Sequence, residues 1–487
     1  MDRTQASFGF SGSIGHKGVL VDLDCTKTPQ LGSPSERTSA IGAQFGLPLY
    51  SEPVEIIPPA HVLLEPGRIV LFLGPSGGGK STALGIIRDR FPDSTIVQGI
   101  HFPEKSAIVD EVAPGRSLNE AVGLLTHCGL GEARFWIRRF DELSEGEQFR
   151  ARLARAIGFH KEASELEVDE SNEIPILLCD EFCSNIHRLA AKAISYSLRK
   201  LATLHGLCIV LASVHEDIRY DLQPDTTVQL LGNAQCQIEH HQPARQPISI
   251  RHELRIEKGC KQDYDKFSAM HYRATDELGF VDKVFVLRNE ENQTLGIVVY
   301  SHGPLELALR NKATEGIFIR NPSKMNKEMR ILRRLVIHPD VRGCGLGHFL
   351  VENTLPMVGT AYVECLASMG DTNPVFERAG MERIGQCKLP AICCTAIKSL
   401  KELGLDPICS ELSNRVSTDR HVKRIVEGVV RAWYAATTGG GSKRVEKQQS
   451  EFLTQAFRGL IGSRPVYYLW RRNGQTTDSA KTVSQKE

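Results

Sequence analysis

An α/β fold built as two successive units is predicted by three observations in this 487-residue chain. A glycine-rich loop, Gly74-Pro-Ser-Gly-Gly-Gly-Lys80-Ser81-Thr82, follows an apolar strand and opens a helix. A different loop, Arg342-Gly343-Cys344-Gly345-Leu346-Gly347, sits in the same setting nearly 270 residues later. Around them lie continuous apolar runs such as Ile174–Cys179 and Cys208–Ala212, the form taken by strands buried on both faces of a parallel sheet. A chain of this length supports two or three cores rather than one.

The elements follow in order. Residues 1–43 are rich in Gly, Ser and Thr and read as a weakly ordered leader or arm. A first domain is expected over 44–240, with a strand at Ile69–Leu73, a helix at Ser81–Arg90 and further helices at Leu118–Thr126 and Glu145–Ile157. His240–Pro247, polar and proline-bearing, reads as a linker. A second domain is expected over 248–398. There Val284–Leu287 and Leu295–Tyr300 pair as a hairpin, and Ile331–Ile337 forms the next strand. A helix at Gly345–Val358 and a strand at Ala361–Cys365 follow. Residues 399–487 read as a basic helical segment and tail, with a helix at Asp419–Ala435, a Thr-Gly-Gly-Gly-Ser break and the aromatic stretch Val466–Trp470.

Composition narrows the class. A hydrophobic content of 41% with 24% charged residues describes a soluble, core-forming chain. Thirteen scattered cysteines without CxxC spacing fit reduced thiols in the cytoplasm better than disulfides or a zinc site. No apolar signal core opens the chain and no long uncharged stretch follows, so no integral membrane segment is expected. The net charge of +1 conceals an excess of seven basic over acidic residues in 411–487. That end is either a nucleic-acid surface or a solvated tail.

The first loop has the chemistry of a triphosphate cradle. Gly74, Ser76, Gly77 and Gly79 lie where backbone N–H groups approach phosphate, Lys80 reaches the outer phosphates, and Ser81 with Thr82 opens the helix beside them. Ser81 can ligate magnesium. Ile174–Cys179 runs into Asp180, which would hold Mg2+ through water, and Glu181, which would polarise the attacking water.

With Leu143-Ser144-Glu145-Gly146-Glu147-Gln148, the Leu153–Ile157 helix and His215, which stands 34 residues past Glu181, these motifs resemble the ABC ATPase family. The resemblance implies ATP hydrolysis in a head-to-tail homodimer, where Ser144, Gly146 and Gln148 of one subunit close on the Lys80 loop of the other, with His215 as the switch histidine. Three departures stand out. Only 64 residues separate Lys80 from Ser144, which implies a shortened helical subdomain. Gln98 is the only nearby glutamine for a Gln loop. His187 occupies a position where the family usually has Asp. Phe45 or Tyr50 either stacks on adenine or belongs to the core.

The segment Leu335–Gly347, with Asn373-Pro-Val-Phe376-Glu-Arg-Ala-Gly380, resembles the GNAT acetyltransferases. The resemblance implies a GNAT-like α/β domain that binds acetyl-CoA. Val336 and Ile337 would face the pantetheine arm, and Gly343, Gly345, Leu346 and Gly347 the pyrophosphate. Arg342 either shapes the loop or neutralises phosphate, and Asn373 and Phe376 belong to the later motif. Phe376 stands where many members carry an acid tyrosine. Glu364 is the first choice of base, or else pairs with Arg333 or Arg334; His338 is the second choice. The acceptor is an amine, on RNA or another nucleic acid, or on a protein. The alternative is an ATP-driven clamp with a non-catalytic second domain. Arg424, Arg431, Arg471, Arg472, Tyr467, Tyr468 and Trp470 are the residues offered for nucleic-acid contact.

Overall fold

A computed structural model describes residues 18–163, 174–244, 246–270, 278–371, 373–438, 445, 448–462 and 464–472. Strand β1 (Val19–Lys27) pairs antiparallel with β2 (Val54–Leu64), and helix α1 (Glu36–Phe45) lies between them. Residues 19–27, expected in a leader, therefore belong to the first unit. Val21 and Leu23 are buried against Ile57, Val62 and Leu64, which is why this alternating segment holds a strand.

The sheet that carries the first loop runs β4 (Thr95–Ile96), β5 (Ile176–Cys179), β6 (Cys208–Ser213), β3 (Ile69–Leu73), β7 (Thr226–Gly232) and β8 (Gln235–His240). All neighbours are parallel except the β7–β8 edge. Alternate residues of each central strand enter opposite cores. Leu71, Leu177 and Leu211 meet the helices α3 (Leu118–His127), α4 (Glu145–Ala163) and α5 (Arg188–His205) on one face. Phe72, Leu178 and Val210 meet the β1–β2 hairpin and α2 (Lys80–Arg90) on the other. Burial on both faces accounts for the continuous apolar runs.

The second sheet has the order β14 (Glu382–Gln386), β15 (Val466–Arg471), β13 (Tyr362–Ala367), β12 (Met329–Ile337), β11 (Thr294–Ser301), β10 (Val281–Arg288) and β9 (Arg255–Gly259). Only β12 and β13 are parallel, and they pair only from Met329–Leu332 to Tyr362–Cys365. Beyond Leu332 the two strands part, while Arg334–Ile337 stay paired with β11. Helices α6 (Leu346–Thr354) and α7 (Val375–Arg378) flank that opening.

The expected boundary at 398 does not hold. Val466–Arg471 fills the slot between β13 and β14. Helices α8 (Ala391–Glu402), α9 (Glu411–Thr418), α10 (Arg420–Thr438) and α11 (Ser450–Gly462) are thus an insertion between two sheet strands, with their own core of Leu400, Leu412, Val426 and Phe457. The glycine-rich break at 439–442 lies outside the described residues.

The two units pack closely. Helix α5 serves both: Ile194, Leu198 and Leu201 join the first core, while Ala193 enters the second core and Leu189 and Tyr196 pack against it. After the linker, the Ser249 backbone N–H and hydroxyl donate to buried Asp221 at 2.6 and 2.7 Å, and burial raises that carboxyl's pKa against those bonds.

Candidate active sites at two glycine loops

In the first unit, β5, β6 and β3 are consecutive parallel neighbours, so their carboxyl ends converge. They deliver Asp180 and Glu181, His215, and the Gly74–Lys80 loop to one edge, as expected for ligand sites in open α/β sheets. Glycine is required at two points. A side chain at Gly74 would begin 2.0 Å from the Leu230 carbonyl oxygen, and Gly79 caps α2 at φ +97°. Lys80 is 8% exposed, and its Nζ donates to the carbonyls of Gly74 at 2.8 Å and Pro75 at 2.7 Å. Burial lowers its pKa while the charges of Asp180 and Glu181 oppose that shift. The open ground around Gly77 and this curled lysine fit a polyphosphate that would take over the lysine's bonds.

Glu181 adopts φ +46°, and its N–H donates to Asp180 Oδ1 at 2.9 Å. Left-handed backbone at a glutamate is costly. Ser213 Oγ bridges the two strand ends by donating to the Phe182 carbonyl and accepting from the His215 N–H. Burial and Arg188 lower the His215 pKa, favouring neutral imidazole. Gln98, early in sequence, donates to the Asp180 backbone carbonyl and so reaches the acidic strand end. Phe45 and Tyr50 are 67% and 65% exposed, so neither is a core aromatic.

Ser144 stands just before α4. Its N–H is taken by Glu147 Oε2 at 2.9 Å and its carbonyl by the Gln148 N–H at 2.8 Å, while Gln148 Nε2 donates to Leu143 O at 3.0 Å. A side chain at Gly146 would begin 2.9 Å from the Asn185 carbonyl. Ser144, Glu145, Gly146, Arg150, Asn185, Ile186, His187, Ala190 and Asp340 line a cavity of about 430 Å³. The Lys80 loop is not part of its wall. Within one chain the Ser144 loop and the Lys80 loop do not share this cavity.

In the second unit, Val336 and Ile337 lie on the part of β12 that β13 has left. Gly343 takes φ +83°, Gly345 caps α6 at φ +91°, and Gly347 stands where a Cβ would lie 3.0 Å from Val375. The start of α6 leaves backbone N–H groups without helical acceptors, which fits a phosphate. Arg342 is committed to shaping: it donates to Ile337 O at 2.9 Å, Gly131 O at 2.6 Å and Met270 O at 2.7 Å. Gly131 belongs to the first unit, a contact with no sequence signal.

Glu364 is not placed as a base. It is 0% exposed, and Arg310 grips it with Nε at 2.8 Å and Nη2 at 2.5 Å while the Tyr467 hydroxyl donates at 2.9 Å. Its partner is neither Arg333 nor Arg334. Both oxygens are occupied, and breaking such a buried pair is costly. His338 has its Nδ1 3.8 Å from Asp340 Oδ2, and burial lowers its pKa. Phe376 is a core residue, 5.3 Å from the Tyr468 ring. Asn373 is exposed, its N–H bonded to Met369 O.

The cluster offered for nucleic acid is also dispersed by the fold. Tyr467 and Tyr468 are buried, Trp470 packs against the second core, Arg471 bonds Glu382 and Ala313 O, and Arg472 donates to Pro356 O. Tyr468 donates to Glu377 Oε1 at 2.8 Å and its pKa is raised by burial. None of these rings forms an exposed stacking platform.

No family model matches the chain. It is similar to the lipoprotein-releasing system ATP-binding protein LolD of Novosphingobium aromaticivorans, at 26% identity over 36% of this chain and 88% of that protein. LolD 1 of Rhodospirillum rubrum is 27% identical over 34% of this chain and 84% of its own length. Among solved structures, a dimeric bacterial ABC transporter cassette aligns with a TM-score of 0.33 and 19% identity, over 46% of this chain and 100% of that one. The two sequence likenesses, with the ordered motifs above, support an ABC-type ATPase nucleotide-binding domain in the first unit. Among the described residues no helix is long and apolar enough to cross a membrane.

Proposed function

We propose that the protein is a head-to-tail dimeric, Mg2+-dependent ABC ATPase whose second unit transfers an acetyl group from acetyl-CoA to an amine. Ser81 and Asp180 would hold the metal, Lys80 and the backbone of Gly74–Gly79 the phosphates, and Glu181 would orient water for attack, opposed by His215. Dimerisation is supported by the separation of Ser144 from the Lys80 loop: in this reading a complete site needs the second copy's cavity. Mutating Glu181→Gln and Ser144→Arg separately, then mixing the two, tests the shared site. Partial recovery of hydrolysis in the mixture supports it, and its absence opposes it.

The acetyl-CoA reading rests on one observation above the others, the parting of β12 from β13 beyond Leu332. The edge at Leu335–Ile337 that β13 has left, where Arg342 already holds the Ile337 carbonyl, leads directly into the Gly343–Gly347 turn and the start of α6. An acyl-pantetheine arm would pair with that edge, and the turn would take the pyrophosphate. In the transfer, the amine nitrogen bonds to the thioester carbon, the C–S bond breaks, and the amine's proton passes to water while the thiolate leaves. Neither Glu364, closed by Arg310, nor Phe376 carries a proton in this scheme. The acceptor is a small or protein-borne amine, because the aromatic cluster that pointed to nucleic acid is buried. Titrating the full chain with CoA in a calorimeter tests the donor site, and no binding at millimolar CoA would remove it.

A further inference from the structure

The cavity beside Ser144 has a wall from an unexpected source. Eight of its nine lining residues belong to the ATPase unit, and the ninth, Asp340, comes from the turn that opens the second glycine loop. Asp340 Oδ2 lies 3.7 Å from His187 Nδ1. His187 caps α5, the helix shared by both cores, and sits two residues past Asn185, whose carbonyl approaches Gly146. Its side chain is 65% exposed, and the same Asp340 oxygen also lies 3.8 Å from His338 Nδ1. The turn itself is anchored: Arg342, two residues beyond Asp340, holds Gly131 O at 2.6 Å, and Gly343 lies against the Thr126 carbonyl and His127.

We infer that Asp340 is a positioning residue for ATP hydrolysis, holding His187 where the partner subunit's nucleotide meets the Ser144 loop. The inference rests on the ATPase dimer proposed above. Its physical basis is the shared cavity: a group at the mouth of the Ser144 loop is oriented by a carboxylate from another domain. The sequence around His187 departs from the acidic residue expected there, and Asp340 restores a carboxylate to that neighbourhood through space. Because the same turn continues into Gly343–Gly347, anything that shifts this loop also shifts the ATPase wall.

The test is a double-mutant cycle on the full chain, reading kcat and KM for Mg-ATP hydrolysis with the melting temperature as folding control. Asp340→Asn is expected to lower kcat about tenfold, the scale of a misplaced orienting group, with KM changed less than about twofold. His187→Asn should cost the same, and the double variant no more than either alone, since one unit has been broken once. The exchange His187→Asp with Asp340→His should recover kcat to within about threefold of wild type, which general destabilisation would not do. The inference is overturned if Asp340→Asn keeps kcat within about twofold, if the two single losses multiply, or if the exchange is no better than the single variants. An inactive wild type would overturn the ATPase reading with it, whereas an active wild type with an unaffected Asp340→Asn removes this inference alone.

Discussion

The Gly74–Lys80 loop and the Arg342–Gly347 loop look alike in backbone and differ in what their cations do. Each ends in a left-handed glycine that caps a helix, Gly79 at φ +97° and Gly345 at φ +91°. In the first, Lys80 holds only the loop's own carbonyls, bonds that a phosphate can replace without disturbing the fold. In the second, Arg342 ties together three segments, one of them in the other domain. A glycine turn therefore fits a phosphate equally in both cases, but only the first loop brings its own phosphate-seeking charge. The second is built into a seam.

The largest effect expected from this contrast is at the acidic strand end. Glu181→Gln should lower ATP turnover about a thousandfold while leaving ATP binding intact, measured by phosphate release and by nucleotide titration. Loss below about tenfold would shift the water-orienting role elsewhere. Next comes the closed pair in the second unit. Arg310→Met strands Glu364 as a buried charge and should cost about 3 kcal/mol of stability by denaturant melt. Arg310→Met with Glu364→Leu should recover most of it. A Glu364 that tolerated the single change would be a freer carboxylate than the structure makes it.

Arg342→Ala sharpens the comparison at the seam. It should weaken CoA binding about tenfold by loosening the turn, with calorimetry as the readout. It should also lower ATP turnover by a few fold, since Gly131 and Asp340 lose their anchor. An effect on CoA alone would confine Arg342 to its own loop. The smallest effect belongs to Phe376→Tyr. Phe376 lies in the core against Tyr468, so a hydroxyl there gains no path to a leaving thiolate, and acetyl transfer should change by less than about threefold. A larger acceleration would place the ring at the thioester.

These features differ in how far the sequence discloses them. The strand, loop and helix around Lys80 are local, and apolar runs such as Ile174–Cys179 betray burial on both faces. The same holds for the hairpin Val281–Ser301 and the strand ending at Ile337. What stays hidden is created by closure of the chain over long separations. Glu364 meets Arg310 and, across an inserted helical bundle, Tyr467. Val466–Arg471 reads as an aromatic stretch in a basic tail until its slot between β13 and β14 is seen. Val19–Lys27 sits among Gly, Ser and Thr, and its strand depends on β2, beyond an intervening helix. His187 reads as a departure, because Asp340 is remote in sequence and carries no periodic signal.

The central claim is that the turn opening the second glycine loop, through Asp340, forms part of the cavity wall beside Ser144, so that nucleotide at one site should be felt at the other. It is tested most directly by titrating acetyl-CoA into the full-length Glu181→Gln protein with Mg2+, with and without saturating ATP. A shared wall predicts dissociation constants that differ by about fivefold or more, the scale of a coupling free energy between linked sites. Identical constants in the two titrations would contradict it.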